Sequence, residues 1–508
     1  MVSALLSPLL LLSFQRAVSG VNISIPSSPP SDAHTLSPSL LGFSIEQDRW
    51  VDWIGAGSRN DYFYNVLNNI KGLSGAATRL RIGADSEDHT NFSPDVMYSE
   101  AIFPDPTTAV PYQEASNITV GEGYYQLASF LPSGTEVIWG VNLRDLNMTA
   151  ASLEANAIAE AFSSSTFKTA GVNLEAIEIG NEANLYPFSD WTVEEYVKVW
   201  TSFATNVSTT VSSTFGSKVP FWGAAFADSD IWTPEAVIDD DILDSEPGSQ
   251  IATISQHHYS GSCEAGTLPG LMDKPSIRSN LTQFTSGISA AHAKGLTYVL
   301  GETNSYYCHG AAGVSDTAGA ALWALDYTLF SATLGIDRVY FHEGIGYKYN
   351  FIQPATLNRS IEDGTPLAEP LAPHIQPAYY AAIIIAEASG SSVSSKIVEL
   401  DINESDVTGY AFFDNGSLKR AILINMNAYL GDGSRGSVHV GLDGVSSEKM
   451  TVKRLAISSA SDTSGLTWGG QSYETKDGKV SGSLNVTTAS VSEGVDVSDT
   501  EVVLLSFS

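Results

Sequence analysis

The segments AIEIGNE (176–182) and TYVLGET (297–303) decide how this chain is read. Each is a short run rich in apolar and β-branched residues that ends, past a glycine, on a glutamate. That is the pattern of a buried parallel strand whose C-terminal end carries a functional group. Working outward, the same pattern recurs in LLGFSIE (40–46), TRLRIGA (78–84), VIWGVNL (137–143), PFWGAAF (220–226), TISQHHY (253–259) and RVYFHEG (338–344). Helical stretches such as TVEEYVKVWTSFATNVSTTV (192–211) and AGAALWALDYTLFSATLG (318–335) lie between them. Strand and helix in alternation make βα units, and eight such units close a barrel. The fold class is α/β, a (β/α)8 TIM barrel over residues 37–388, with polar residues clustered at the C-terminal strand ends. Beyond Ser389 the pattern changes to short alternating runs broken by Gly, Asp, Ser and Asn, as in GYAFFDNGSLKRAILINM (409–426), so residues 389–508 read as an all-β sandwich domain. VNISIPSSPP (21–30) is strand-like before a Pro/Ser linker, and residues 21–36 are expected to join that β domain.

With 508 residues, 43% of them hydrophobic and 16% charged, the chain can bury a sizeable core. Its 25 Lys and Arg face 57 Asp and Glu, and the formal net charge of −32 repels a nucleic-acid backbone or an anionic membrane surface. The scarcity of cations also argues against a long basic cleft for a heavily sulfated polysaccharide. MVSALLSPLLLLSFQRAVSG (1–20) reads as a cleaved signal peptide. No later stretch reaches the roughly 18 apolar residues that cross a bilayer, so a secreted, extracellular protein is expected. Sequons at Asn22, Asn117, Asn147, Asn206, Asn280, Asn358, Asn403, Asn415 and Asn485 fit a glycoprotein, while Pro94 disfavours the one at Asn91. In an oxidising compartment the two cysteines, Cys263 and Cys308, are expected to form one disulfide.

Glycosidic bond cleavage needs one carboxyl group that donates a proton and a second that stays ionised. Glu182 ends the fourth strand and Glu302 the seventh, and these strands lie across one barrel mouth, so their carboxyls can converge. A lone strand-end glutamate is more often only salt-bridged; the pair, at those two strands, reverses that reading. A carboxyl facing an ionised neighbour holds its proton and suits the acid, whereas one held by tyrosine hydroxyls and an arginine stays charged and suits the nucleophile. Asn181 is placed to meet a sugar 2-hydroxyl. Arg79 and Arg81 point the same way from the second strand, and one is expected to steady the nucleophile. His257, His258, His309 and His342 make no metal-binding spacing, so neither a metal nor another cofactor is expected. His342 and Glu343 on the eighth strand are read as a supporting pair that faces the mouth.

Placed this way, the two glutamates resemble those of retaining glycosidases in the large clan of (β/α)8 enzymes whose acid/base follows strand four and whose nucleophile follows strand seven. More narrowly, LGFSIE (41–46), RLRIGA (79–84), EIGNEANLY (178–186), QHHY (256–259), GETNSYY (301–307) and Gly346-Tyr347-Lys348-Tyr349 resemble glycoside hydrolase family 79, the β-glucuronidases related to heparanase. The resemblance implies Glu182 as acid/base and Glu302 as nucleophile. It also implies a glucuronate pocket in which Glu46 and Asn181 contact sugar hydroxyls and Tyr259, Tyr307 and groups near Tyr349 hold the C5 carboxylate; Arg81, from the second strand, is counted with these substrate-binding residues on its position. Whether Tyr306 or Tyr307, and Tyr347 or Tyr349, meets the sugar stays open. A Cys263–Cys308 bridge would tie the Tyr259 and Tyr307 loops together. The expected function is exo-β-glucuronidase action on terminal glucuronic acid of a glycan, with or without a 4-O-methyl group, by double displacement. The alternatives are an endo-β-glucuronidase of heparanase or hyaluronan type, a clan relative acting on a neutral sugar, and a non-catalytic carbohydrate-binding barrel. Product size separates exo from endo, and turnover of an aryl β-glucuronide separates an enzyme from a binding protein.

Overall fold

The computed structural model of the protein describes residues 19–507, so the expected signal peptide, apart from residues 19 and 20, lies outside the described residues. Eight parallel strands close the barrel. They are β1 (Leu41–Glu46), β2 (Leu80–Gly83), β3 (Glu136–Val141), β4 (Asn173–Ile179), β5 (Phe221–Phe226), β6 (Ile251–Tyr259), β7 (Thr297–Asn304) and β8 (Arg338–Glu343). Pairing of β8 with β1 completes the ring. Strands covered on both faces need apolar residues at most positions, and β1, β2 and β5 are buried along their whole length. Ile138, Ala176, Trp222, Val299 and Tyr340, each from a different strand, pack together as one cluster. Trp222 and Tyr340 meet edge to face at 5.0 Å. The barrel is thereby a packed core, and its chemistry is confined to the C-terminal mouth.

The outer helices follow from local signals. In α1 (Asp61–Ser74) the Asn60 side chain accepts from the N–H groups of Tyr62 and Phe63, and Gly75 ends the helix at φ +72°. Helices α2 (Met148–Ser163) and α3 (Val193–Phe215) each bury one apolar side. Helix α4 (Ala318–Thr333) is buried at every position from Ala318 to Ala332, because the barrel covers one side and the β domain the other. Arg278 crosses that junction, donating to Asp326 on α4 at 2.6 Å and to Glu399 at 2.6 Å. Helix α5 (Tyr379–Ser389) is nearly as buried and ends the barrel.

Strands β9 (Lys396–Glu399), β10 (Val407–Asp414), β11 (Ser417–Asn425), β12 (Ser437–Asp443), β13 (Lys449–Ala456), β14 (Val495–Ser498) and β15 (Glu501–Phe507) build the sandwich. The large sheet contains the order β9-β10-β11-β15-β13; the small one pairs the N-terminal strand Ser19–Ser24, β12 and β14. The run read as 409–426 is a hairpin, turned at Asn415 and Gly416 with φ of 50° and 77°. The large sheet is covered on both faces. Phe413, Leu423 and Leu505 face the small sheet, whereas Phe412, Ile422 and Leu504 join the barrel core. No helix among the described residues is long and apolar enough to cross a membrane.

Candidate active site

The two glutamates reach the mouth through backbone irregularities. Strands β6 and β7 pair Gln256 with Leu300 and then His257 with Glu302, leaving Gly301 as the extra residue of a bulge. A Cβ on Gly301 would lie 2.0 Å from Ser255 Oγ, so the close approach requires glycine. After β4, Gly180 turns at φ +81°. Glu182 follows in the left-handed region at φ 46°, ψ 46°, a conformation that costs a non-glycine residue about 1 kcal/mol or more. Its N–H donates to Ala225 O at 2.8 Å, which pins it to β5.

One ligand atom each from Glu182, Glu302 and His257 lie within 4.8 Å of one another. Among the described residues they alone come close enough to share a cation, and sequence spacing could not show this because they come from three strands. His257 Nδ1 shares a hydrogen bond with Glu182 Oε1 at 3.0 Å. Glu302 accepts from Arg81 Nη1 at 2.8 Å and from the Tyr259 hydroxyl at 2.7 Å. Arg81, with no exposure, also donates to Ser44 Oγ at 2.8 Å, Asn181 Oδ1 at 2.7 Å and Glu178 Oε1 at 2.7 Å. Burial pushes the Glu302 carboxyl up, but the neighbouring His342, His257 and Arg81 and the Tyr259 hydroxyl outweigh it and hold it at about 2. His342 is pushed down by burial and raised further by Glu302 and Glu46, to about 9. It sits 3.1 Å from Glu46 through Nε2 and 3.9 Å from Glu302 through Nδ1. Glu46 also accepts from the Ser86 hydroxyl and from the Ser86 N–H at 3.1 Å.

These groups border a cavity of about 430 Å³ that Glu46, Asn181, Glu182, Tyr259, Glu302, Tyr307 and Tyr349 line together. The structure therefore brings most of the expected residues to one place, with differences. Tyr307 lines the cavity, and Tyr306 is buried against Gly266 and Gly261. Tyr349 lines it too, while Tyr347 stacks on His309 at 3.6 Å. Tyr259 was expected on the sugar carboxylate; its hydroxyl instead belongs to Glu302, because the β6–β7 register sets it there. Arg79 points the same way as Arg81 but lies lower, paired with Glu175 and, at 2.8 Å, Glu136. His342 and Glu343 do not face one way, since neighbours on a strand alternate; Glu343 accepts from the N–H of Phe351 at 2.9 Å. Cys263 and Cys308 are free thiols rather than a disulfide. They adjoin across the bridge between Ser262 and Tyr307, and burial together with the Cys263 side chain pushes the Cys308 thiol up to about 11. A thiol so weakly ionised is a poor nucleophile toward an oxidant.

Sequence reading missed Glu178 and Glu114. Glu178 follows the same strand face as Ala176, a signal that period-two alternation carries. Glu114 lies on an irregular loop and pairs with His309 beside the cavity, which no local pattern announces.

Residues 409–504 match the sequence model of the glycosyl hydrolase family 79 C-terminal beta domain. A beta-glucuronidase of Aspergillus niger is 28% identical over 96% of this chain and 92% of that protein. One from Neurospora crassa is 26% identical over 95% and 92%. The crystal structure of a 4-O-alpha-L-rhamnosyl-beta-D-glucuronidase from Fusarium oxysporum shares the fold with a TM-score of 0.80, at 24% identity over 96% of this chain and 100% of that one. A family 51 arabinofuranosidase from Xanthomonas axonopodis pv. citri shares it at a TM-score of 0.62 and 14% identity, over 96% and 100%. The matched β domain, the two relatives aligned along almost the whole chain and the paired strand-end glutamates show a glycoside hydrolase that is similar to the beta-glucuronidases and carries a family 79 C-terminal beta domain.

Proposed function

We propose that the protein is a secreted exo-β-glucuronidase that removes terminal β-linked glucuronic acid from glycans with retention of configuration. The observation that carries this reading is the approach of Glu182 and Glu302 to within 4.8 Å across the mouth. Carboxyls about 5–5.5 Å apart suit double displacement, whereas inverting pairs stand about 6.5–9.5 Å apart to admit a water. Glu302, ionised at any working pH, attacks the anomeric carbon as Glu182 protonates the glycosidic oxygen. Glu182 then takes the proton of the water that opens the glycosyl ester, and the cycle closes. Arg81 occupies Asn181 Oδ1, which leaves the Asn181 amide NH2 to donate to the sugar 2-hydroxyl. Glu46 accepts from a further hydroxyl. Tyr307 and Tyr349 are the donors for the C5 carboxylate, a role neutral hydroxyls fill without a lysine cluster. The relatives named beta-glucuronidase support the sugar. Exo action is the reading that the pair formed by Glu114 and His309, which line the cavity beside Glu46 and Tyr349, would serve by bounding the sugar site.

The test is NMR of the first product formed from an aryl β-glucuronide, with oligosaccharide digests run beside it. Initial release of β-glucuronic acid as the sole small product is expected. An α-anomer first product, or internal fragments from a polymer, would overturn retention or exo action respectively. Glu302→Gln should abolish turnover while leaving binding of glucuronate measurable.

A further inference from the structure

Proton delivery by Glu182 fixes where the departing half of the substrate lies, because the glycosidic oxygen joins the two halves. The surface next to Glu182 on the outer side is therefore leaving-group ground, and two loops build it. The turn after β4 carries Leu185, which is 64% exposed. The loop after β5 carries Asp228, whose side chain is 41% exposed. Asn184 ties the two, donating to Ala227 O at 3.3 Å and accepting from Ala227 N at 3.0 Å. Both Leu185 and Asp228 line the catalytic cavity. Asp228 is aimed, since His258 Nδ1 holds its Oδ2 at 2.6 Å and the His258 ring is stacked on Tyr327 and abuts Phe284. Oδ1 has no protein donor among the described residues. An exposed branched apolar group beside an oriented carboxylate suits a sugar ring, whose C–H face rests on the one while a hydroxyl donates to the other. Charge narrows the choice further. On this outer side the lining carboxylates are those of Glu182 and Asp228, and no lysine or arginine lines the cavity to offset them.

Resting on the reading of the site as a retaining β-glucuronidase, we propose that Leu185 and Asp228 form the leaving-group subsite and select an uncharged, hydroxylated ring over an anionic one. The experiment measures kcat/KM for the wild type, Leu185→Ala and Asp228→Asn on three substrates. These are a nitrophenyl β-glucuronide, a β-glucuronosyl disaccharide with a neutral second sugar, and the same disaccharide sulfated on that sugar. The wild type is expected to favour the neutral over the sulfated disaccharide by about tenfold or more. Asp228→Asn should lower the neutral-disaccharide value about tenfold, mainly through KM, lower the nitrophenyl value less, and narrow the neutral-to-sulfated ratio; one charged hydrogen bond accounts for that size. Leu185→Ala, at an exposed position that does not threaten folding, should lower both the nitrophenyl and disaccharide values several-fold. Equal cleavage of neutral and sulfated substrates by the wild type would overturn the proposal. So would an Asp228→Asn loss of the same factor on all three, which would mean that Asp228 acts through His258 rather than on the leaving group. Turnover of the nitrophenyl glucuronide keeps the two readings apart. Its absence in the wild type sinks the glucuronidase reading and this one with it, whereas its presence without discrimination sinks only the subsite.

Discussion

Arg81 joins four places on the barrel rim: Ser44 from β1, Glu178 from β4, Asn181 just beyond β4 and Glu302 from β7. A planar fork with five donors can do this and an ammonium cannot. Arg81→Lys is therefore expected to lower kcat on the order of 10²-fold by loosening Glu302 and Asn181 together, with substrate affinity much less affected. Arg81→Gln goes further, because it leaves buried carboxylates without a cation, at a cost of about 3–5 kcal/mol. Removing that cation raises the Glu302 proton affinity from its value of about 2, so the acid limb of the kcat/KM profile should move to higher pH in any folded Arg81→Gln protein; an unmoved limb would count against this role. Of the site, Glu182 and Glu302 were legible because a strand-end carboxyl after glycine is a local pattern. The hydroxyl partner of Tyr259 was not, since it depends on how far β6 slides against β7. Glu114 was not either, because a loop between distant elements leaves no period to read.

Gly301 shows the same dependence one level up. A bulge is a property of two strands, and the sequence GET contains the glycine without saying what crowds it. Gly301→Ala drives a methyl into Ser255 Oγ and is expected to cost about 1–3 kcal/mol, read as a lower thermal midpoint, and to depress kcat by displacing Glu302. Adding Ser255→Ala, which removes an unpartnered hydroxyl, should restore part of both. The barrel strands themselves were legible because burial on both faces forces unbroken apolar runs. The full burial of α4 was legible only as an apolar helix, since nothing local says that a second domain covers its outer side. The thiols belong to this scale as well. Incubation with oxidised glutathione at alkaline pH, where the Cys308 thiol ionises, is expected to take the thiol titre from two to zero with the loss of two hydrogens. Two thiols persisting under those conditions would mean that the loops hold the sulfurs apart.

Across the whole molecule, buried acids set the pH response of stability. Burial pushes Asp88 and Asp316 to about 7 and Glu87, Glu154 and Glu343 well above the usual carboxylate range. Each holds its proton more tightly folded than unfolded, so stability falls as pH rises from the ordinary value of about 4 through these raised values. Glu302, depressed to about 2, contributes in the opposite sense and matters only in strong acid. Self-repulsion from the net charge of −32 adds to the loss near neutrality. Calorimetry should find a higher midpoint near about pH 5 than near about pH 8, and the reverse order would contradict the buried-acid account. Glycan occupancy should follow exposure. Asn22, Asn117, Asn147, Asn358, Asn403, Asn415 and Asn485 are exposed, while Asn206 is half-buried with its Oδ1 enclosed, so peptide mass spectrometry of protein from a eukaryotic secretory host should find Asn206 unmodified. The N-terminal strand carries a last consequence. Val21 lies beside Val440 in parallel pairing, so a chain emerging from the ribosome presents its first strand long before the partner is synthesised. That segment waits, uncovered, while the entire barrel is made, and the small sheet becomes native last. Proteolytic trimming of a handful of residues at the front would therefore unfasten the rear.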